Sequence, residues 1–272
     1  MNGIEFNPDA LRPRLHVRLA RDGQDVLTSQ QLRYHVFYEE MEAQPDAVAL
    51  ASKLDADRYD AICDHLLVID KLAGGAFQVF DGALVGTYRL LRQDIAEKHF
   101  GFYAQSEFDI GPLLARHAGL RFLELGRSCV LKQHRSKPVV ELLWQGIWDY
   151  VRAHKMDVML GCASLDGTDP DRHTQALSFL GYNAAPKAEW HVRAITGRHV
   201  EMRRLSPGEF NAKRALASLP PLIKGYLRLG CCIGEGAVVD RQFNTIDVLI
   251  ILPVAQINPR YFAHFGKPDA TG

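Results

Sequence analysis

The feature that most restricts the fold of this chain is a strand, a helix and a second strand in direct succession between Arg121 and Ala163. Arg121-Phe122-Leu123-Glu124-Leu125 reads as a strand that resumes after Gly126 as Arg127-Ser128-Cys129-Val130. Pro138 suits the first turn of a helix, and Val140, Leu143, Trp144, Ile147 and Val151 lay one apolar stripe along Val139 to His154. Val158-Met159-Leu160-Gly161-Cys162-Ala163 is an apolar run of buried-strand length. That order makes a crossover unit, whose two strands run parallel.

The flanking sequence adds strands and helices without a repeat, a low-complexity tract or a linker, so a single mixed α/β domain over 1–272 is expected, with 205–272 as a C-terminal helix-strand extension. Leu15 to Ala20 alternates as a half-buried strand, and a helix follows with Thr28 and Ser29 as cap residues and with Arg33 and Phe37 on one face. The stretch from Glu42 to Asp64 is acidic and partly helical. His65 to Ile69 and Leu84 to Leu91 read as strands, with a turn at Asp81-Gly82. A short helix opens at Gly111-Pro112, another ends at Gly181, and a third spans Pro221 to Leu229. A glycine-rich loop from Gly230 to Gly236 then precedes a strand from Thr245 to Leu252.

Composition removes several function classes. Thirty-two basic residues balance thirty-two acidic ones, which leaves no net field for nucleic acid. Five cysteines lack zinc spacing, Asp55-Ala56-Asp57-Arg58-Tyr59-Asp60 lacks the remaining ligands of a calcium loop, and no metal is expected. An odd number of cysteines and the absence of a secretory leader pattern suit a reducing cytoplasm. The longest apolar stretch, Val248 to Val254, is far shorter than the ~20 residues of a membrane span, so any membrane contact is expected to be peripheral, at the inner face.

Three places carry candidate chemistry. Glu124 and Arg127 stand three apart across Gly126, where a break in the strand ladder frees backbone N–H groups. Those donors would hold an oxyanion, and the carboxylate would take a proton from an attacking amine; the alternative is a strand-edge salt bridge. Arg135 and Lys137 precede the helix at Pro138 and make an anion site with its N-terminus, or are merely solvated. The acidic stretch Asp55 to Asp64 would attract a cationic substrate, or face solvent.

Several motifs in order carry a family resemblance. Leu32-Arg33-Tyr34-His35-Val36-Phe37, Asp57-Arg58-Tyr59-Asp60 with Cys63-Asp64-His65-Leu66-Leu67-Val68, Val85-Gly86-Thr87-Tyr88-Arg89-Leu90 and Leu123-Glu124-Leu125-Gly126-Arg127-Ser128-Cys129-Val130 resemble the core motifs shared by acyl-homoserine lactone synthases and ornithine lipid N-acyltransferases. Leu222 to Gly230 and Phe243 to Leu249 resemble the C-terminal block of the second family, which lactone synthases lack. The tryptophan of the lactone-synthase pattern soon after Phe37 is missing. The likeness runs from Leu15 to Phe265.

The resemblance implies a fold like that of the general N-acetyltransferases (GNAT), a central mixed and largely antiparallel sheet flanked by helices. It implies transfer of a 3-hydroxyacyl group from acyl carrier protein to the α-amine of ornithine, giving lyso-ornithine lipid. No bound cofactor is implied; the acyl-phosphopantetheine of the carrier is a co-substrate. Glu124 and Arg127 would be catalytic; Arg33, Phe37, Asp60, Asp64 and Arg89 would bind substrate; Gly126, Ser128, Val130, Arg135 and Lys137 would receive the pantetheine arm. The acidic carrier would dock on Arg121, Lys132, Arg135, Lys137 and Lys155. The other readings are a lactone synthase, an N-acyl amino acid synthase with another acceptor, and a non-catalytic protein that binds lipid surfaces.

Overall fold

The computed structural model describes residues 14–257. Its elements in chain order are β1 (Leu15–Leu19), α1 (Gly23–Tyr34), α2 (Ala47–Ser52), β2 (Asp64–Asp70), β3 (Gln78–Val79), β4 (Gly82–Arg92), α3 (Gln93–Ala96), α4 (Gly111–Arg116) and β5 (Phe122–Val130). There follow α5 (Lys137–Ala153), β6 (Val158–Asp166), α6 (Thr174–Asn183), β7 (His199–Val200), α7 (Ala212–Ser218), α8 (Pro221–Leu229), β8 (Cys232–Ile233), β9 (Ala237–Asp240) and β10 (Thr245–Pro253). The chain divides into two compact units, one holding residues up to Leu90 with Gly126–Ala153, the other holding Leu91–Leu125 and the residues from His154 onward.

In the first unit β1 pairs antiparallel with β2 from Leu15↔Asp70 to Leu19↔Leu66, and β2 pairs antiparallel with β4. Leu66, Leu67, Val68 and Ile69 are all buried, and removing side chains of this size from water is worth roughly 1.5–3 kcal/mol each. Helix α5 forms because Val139, Leu143, Ile147 and Val151 recur every four residues on its buried side. Val140, expected in that stripe, is exposed. A Cβ at Gly146 would lie 2.8 Å from both Val17 and Leu66, so this glycine lets α5 settle directly onto β1 and β2. The hairpin closes one residue earlier than expected: Val79 pairs with Gly82, leaving Phe80 and Asp81 as the loop. Gly82 has φ +143°, and a side chain there would meet the Asp70 carbonyl.

Helix α1 starts well before Thr28 because Asp22 caps it, accepting from the N–H groups of Gln24 and Asp25. Thr28 and Ser29 lie inside the helix and donate to the carbonyls of Gln24 and Val26. A π-helical turn, His35–Glu40, follows α1.

In the second unit β10 is the central strand, buried along its whole length and paired antiparallel with β6 from Thr245↔Asp166 to Pro253↔Val158. Its other edge takes β8 and β9, and β9 takes β7. Of these short strands β8 falls inside the glycine-rich loop expected from Gly230 to Gly236, and runs of two to four residues are too short to show a period. The crossover has its expected sense: β5 and β6 are parallel, from Phe122↔Val158 to Glu124↔Leu160. The ladder spans only these three pairs although each strand has nine residues. A Cβ at Gly161, the next residue of β6, would sit 2.2 Å from the Leu125 carbonyl oxygen. Residues 205–257 group with this unit, and 258–265, the end of the motif likeness, lie outside the described residues. Among the described residues no helix is long and apolar enough to cross a membrane.

Candidate active site

Arg33, Asp60, Arg89 and Arg127, far apart in sequence, come together in the first unit with Asp55 and Asp57. The Arg33 guanidinium is fully buried; Nε donates to Asp55 Oδ2 at 2.8 Å and Nη2 to Asp60 Oδ2 at 2.9 Å and to the Asp55 carbonyl. Arg89 reaches Asp57 at 2.7 Å and Asp60 at 3.3 Å. Arg127 reaches Asp55 at 3.2 Å and Asp57 at 3.3 Å. Three carboxylates thus meet three guanidiniums, which offsets part of the desolvation of each, although Arg33 Nη1 is buried without a hydrogen-bond partner. Burial pushes the Asp60 carboxyl up, but the charges of Arg33 and Arg89 outweigh it and bring it down to about 2. His65 donates from Nε2 to the Asp60 carbonyl at 3.0 Å, and burial pushes this imidazole down.

This network corrects one expectation. Asp55, Asp57 and Asp60 face arginines of α1, β4 and β5, so the segment has no surplus negative charge with which to draw in a cation. Asp64 lies apart from them and accepts from the Tyr150 hydroxyl of α5 at 2.5 Å. Phe37 is half-buried on the π-helical turn.

On the β5 strand the turned residue is Arg127, at φ +50°, rather than Gly126. A non-glycine residue in this region costs roughly 1–2 kcal/mol, and the ion pairs to Asp55 and Asp57 hold it there. Gly126, Ser128 and Val130 are partly exposed, and a Cβ at Gly126 would meet nothing within 4 Å. Arg135 pairs with Glu40 and donates from Nε to the Val130 carbonyl at 3.0 Å; Lys137, largely exposed, opens α5 and lies 3.5 Å from Glu141.

Glu124 belongs to the second unit. It is buried, and its two carboxylate oxygens accept the backbone N–H groups of Tyr103 and Ala104, each at 2.7 Å, at the start of a 3-10 turn. The sequence reading expects this carboxylate to stand open to an amine; the orphan donors of the turn engage it instead.

Sequence reasoning missed a second cluster in this unit. Glu107, Asp240 and Asp247 are buried, with carboxylate oxygens within 4.8 Å of one another. Arg198 lies 3.2 Å from Glu107. Burial first, then the Asp247 charge, pushes Glu107 up to about 7 against the pull of Arg198. Cys162 of β6 donates to Glu107 at 3.4 Å, and burial pushes its thiol well up, so it stays protonated. The signal available beforehand was Asp247, a charge inside the apolar run Thr245 to Leu252.

Residues 32–145 match the model of an acetyltransferase (GNAT) domain. Over 93% of this chain and 85% of the relative, the sequence is 51% identical to the L-ornithine N(alpha)-acyltransferase of Agrobacterium fabrum. It is 52% identical to that of Rhizobium meliloti over 93% of this chain and 84% of the relative. Among solved structures, FeeM, an N-acyl amino acid synthase from uncultured soil microbes, aligns with TM-score 0.49 at 12% identity over 92% of this chain and 98% of that one. The AHL synthase LasI aligns with TM-score 0.48 at 12% identity over 95% and 98%.

A mixed sheet flanked by helices, with a parallel crossover pair and a matched GNAT domain, defines the chain as a GNAT-fold acyltransferase. More narrowly, it belongs to the L-ornithine N(alpha)-acyltransferase family.

Proposed function

We propose that this chain moves a 3-hydroxyacyl group from acyl carrier protein to the α-amine of L-ornithine, the first step of ornithine lipid biosynthesis, giving lyso-ornithine lipid. The observation that carries the reading is 51% identity over 93% of the chain to an enzyme of that name. The mechanism is direct attack of the amine on a thioester. It is supported by the thiols of Cys129 and Cys162, both pushed up by burial and therefore poor nucleophiles at neutral pH.

In this reading the network of Arg33, Asp60, Arg89 and Arg127 is a preorganised wall of the substrate site, bordered by Phe37 and Asp64. The backbone of Gly126, Ser128 and Val130 takes the pantetheine arm, with an N–H near Gly126 on the oxyanion, and Arg135 and Lys137 meet its phosphate. The open space at Gly126 supports that assignment. Glu124 is a positioning residue that fixes the turn at Tyr103. The acidic carrier docks near Lys132, Arg135 and Lys137, and its affinity falls with salt. Five free cysteines suit work in a reducing cytoplasm, at the inner face of the membrane.

The test is to incubate the purified chain with 3-hydroxyacyl carrier protein and L-ornithine, lysine, glycine or glutamine in turn. The expected result is free carrier thiol and N-acylornithine, with the other amines slower. Equal rates on all four would remove ornithine as the acceptor. A lactone formed with S-adenosylmethionine would replace the reading with a synthase, and preference for acyl-coenzyme A would remove the carrier.

A further inference from the structure

The stretch that joins β2 to β4 in the first unit carries apolar side chains where a connection ordinarily carries polar ones. From Lys71 to Gly82 it holds Leu72, Phe77, Val79 and Phe80, and its charged residues are Lys71 and Asp81. Phe80 is 93% exposed and Leu72 76%, the two barest large apolar side chains among the described residues. Single exposed apolar side chains are ordinary; two this bare in one short connection mark a contact surface.

The backbone that carries them is fastened down. Asp70 Oδ1 accepts from the N–H groups of Leu72 and Ala73 at 3.0 and 3.1 Å and from the Arg14 guanidinium. Phe77 is half-buried, its ring 5.6 Å from that of His35, and the Gln78 carbonyl accepts from the Thr28 hydroxyl of α1 at 3.4 Å. Asp81 pairs with β1, 2.7 Å from Arg18 and 2.8 Å from His16, which leaves the exposed Lys71 to set the sign of the connection. Asp70 Oδ2 lies 3.7 Å from His134, so the base of the connection stands beside the 3-10 turn that bears the exposed Lys132. Around Gly74 and Gly75 a side chain would meet nothing within 4 Å, as befits a projecting tip.

We propose that this tip is a bilayer contact: Phe80 and Leu72 enter the apolar margin of an anionic leaflet, while Lys71 and Lys132 meet its headgroups. The inference rests on the reading of the chain as an enzyme that works at a membrane face and makes an amphiphile. Shape and charge both select lipid over a folded partner. A projecting side chain keeps its flanks wet against a protein surface unless that surface offers a matching hole, whereas fluid acyl chains close around any shape. Cations at the base, with the acid of the connection already paired to β1, complement negative headgroups.

The experiment measures partition of the purified chain, without substrates, onto sucrose-loaded vesicles of phosphatidylcholine with and without phosphatidylglycerol. The proteins compared are wild type, Leu72→Ser, Phe80→Ser, the double variant and Lys71→Ala. Wild type is expected to bind the phosphatidylglycerol vesicles and to be released by salt. Each serine should weaken binding about tenfold, the pair about a hundredfold, and Lys71→Ala about fivefold. The emission of Phe80→Trp, read as its difference from wild type, should shift to shorter wavelength on vesicles and be quenched by lipids brominated on the acyl chain. Turnover of a soluble donor and amine should be the same in all variants, so a wild type that forms no amide strikes the acyl-transfer reading, while the vesicle result stands by itself. Wild type that ignores phosphatidylglycerol vesicles, or a double variant that binds them as tightly as wild type, would overturn the proposal. So would a double variant that loses affinity for acyl carrier protein, or changes oligomeric state, with vesicle binding intact, because the tip would then be a protein contact.

Discussion

Asp60 and Glu107 are both buried, yet their surroundings push the two carboxyls in opposite directions. Burial alone raises both. Asp60 has Arg33 and Arg89 against it and falls to about 2; Glu107 has one arginine and a repelling Asp247 and rises to about 7. The lesson is that partner charge, not depth, decides whether a buried carboxylate is a fixed structural anion or a group that can exchange a proton. The first region holds Asp60 as an anion, and the second leaves Glu107 close to neutrality.

Removing one member of the balanced network should have the largest effect. Arg33→Ala leaves Asp55 and Asp60 buried without their closest cation, and a loss of about 3–5 kcal/mol in urea unfolding is expected. A loss under 1 kcal/mol would mean that the network is not tightly coupled to folding. Glu124→Ala comes next: it strands the N–H groups of Tyr103 and Ala104, at a cost of roughly 1–3 kcal/mol for each donor left unsatisfied. If activity vanished at unchanged stability, Glu124 would return to the chemistry.

The pH dependence of stability separates the regions directly. The Asp60 carboxyl is held below its ordinary 3.8, so its contribution is full above about pH 4 and is lost as pH falls through 2. Glu107 lies above its ordinary 4.5, so its contribution is full below that value and is lost as pH rises through 7. Thermal unfolding of wild type should therefore show a decline between about pH 4.5 and 7 that Glu107→Gln lacks, with the variant about 3 kcal/mol more stable at pH 8.5 and the gap closing toward pH 4. An identical pH profile in both would place the Glu107 proton elsewhere. The smallest effect belongs to Gly126→Ala, whose new methyl meets open space: stability should change by less than about 1 kcal/mol, while KM for the acyl donor should rise if the pantetheine arm lies there.

The framework of the fold was legible because apolar runs fix it. Leu123 to Val130, the stripe of α5 and Val158 to Ala163 yield the parallel crossover from periodicity alone. The start of α1 was not: Thr28 and Ser29 have cap chemistry, but Asp22 stands at the point where the backbone turns, and the hydroxyls bond back along the helix. The meeting of Arg33, Asp60, Arg89 and Arg127 came from ordered motifs, since nothing in their spacing brings α1, β4 and β5 to one loop. Glu107 stayed hidden because every group that sets its behaviour, Cys162, Arg198, Asp240 and Asp247, arrives from distant sequence, and Gln105-Ser106-Glu107-Phe108-Asp109 by itself reads as polar surface.

The most direct test of the proposed reaction is mass spectrometry of lipids from a host that makes no ornithine lipid, expressing this chain with an acyl carrier protein. The account predicts a new species with a 3-hydroxyacyl amide on the α-nitrogen of ornithine, its fragmentation leaving the δ-amine free. A lipid profile unchanged by expression of a folded, carrier-supplied enzyme, or acyl chains found on a different amine, would contradict it.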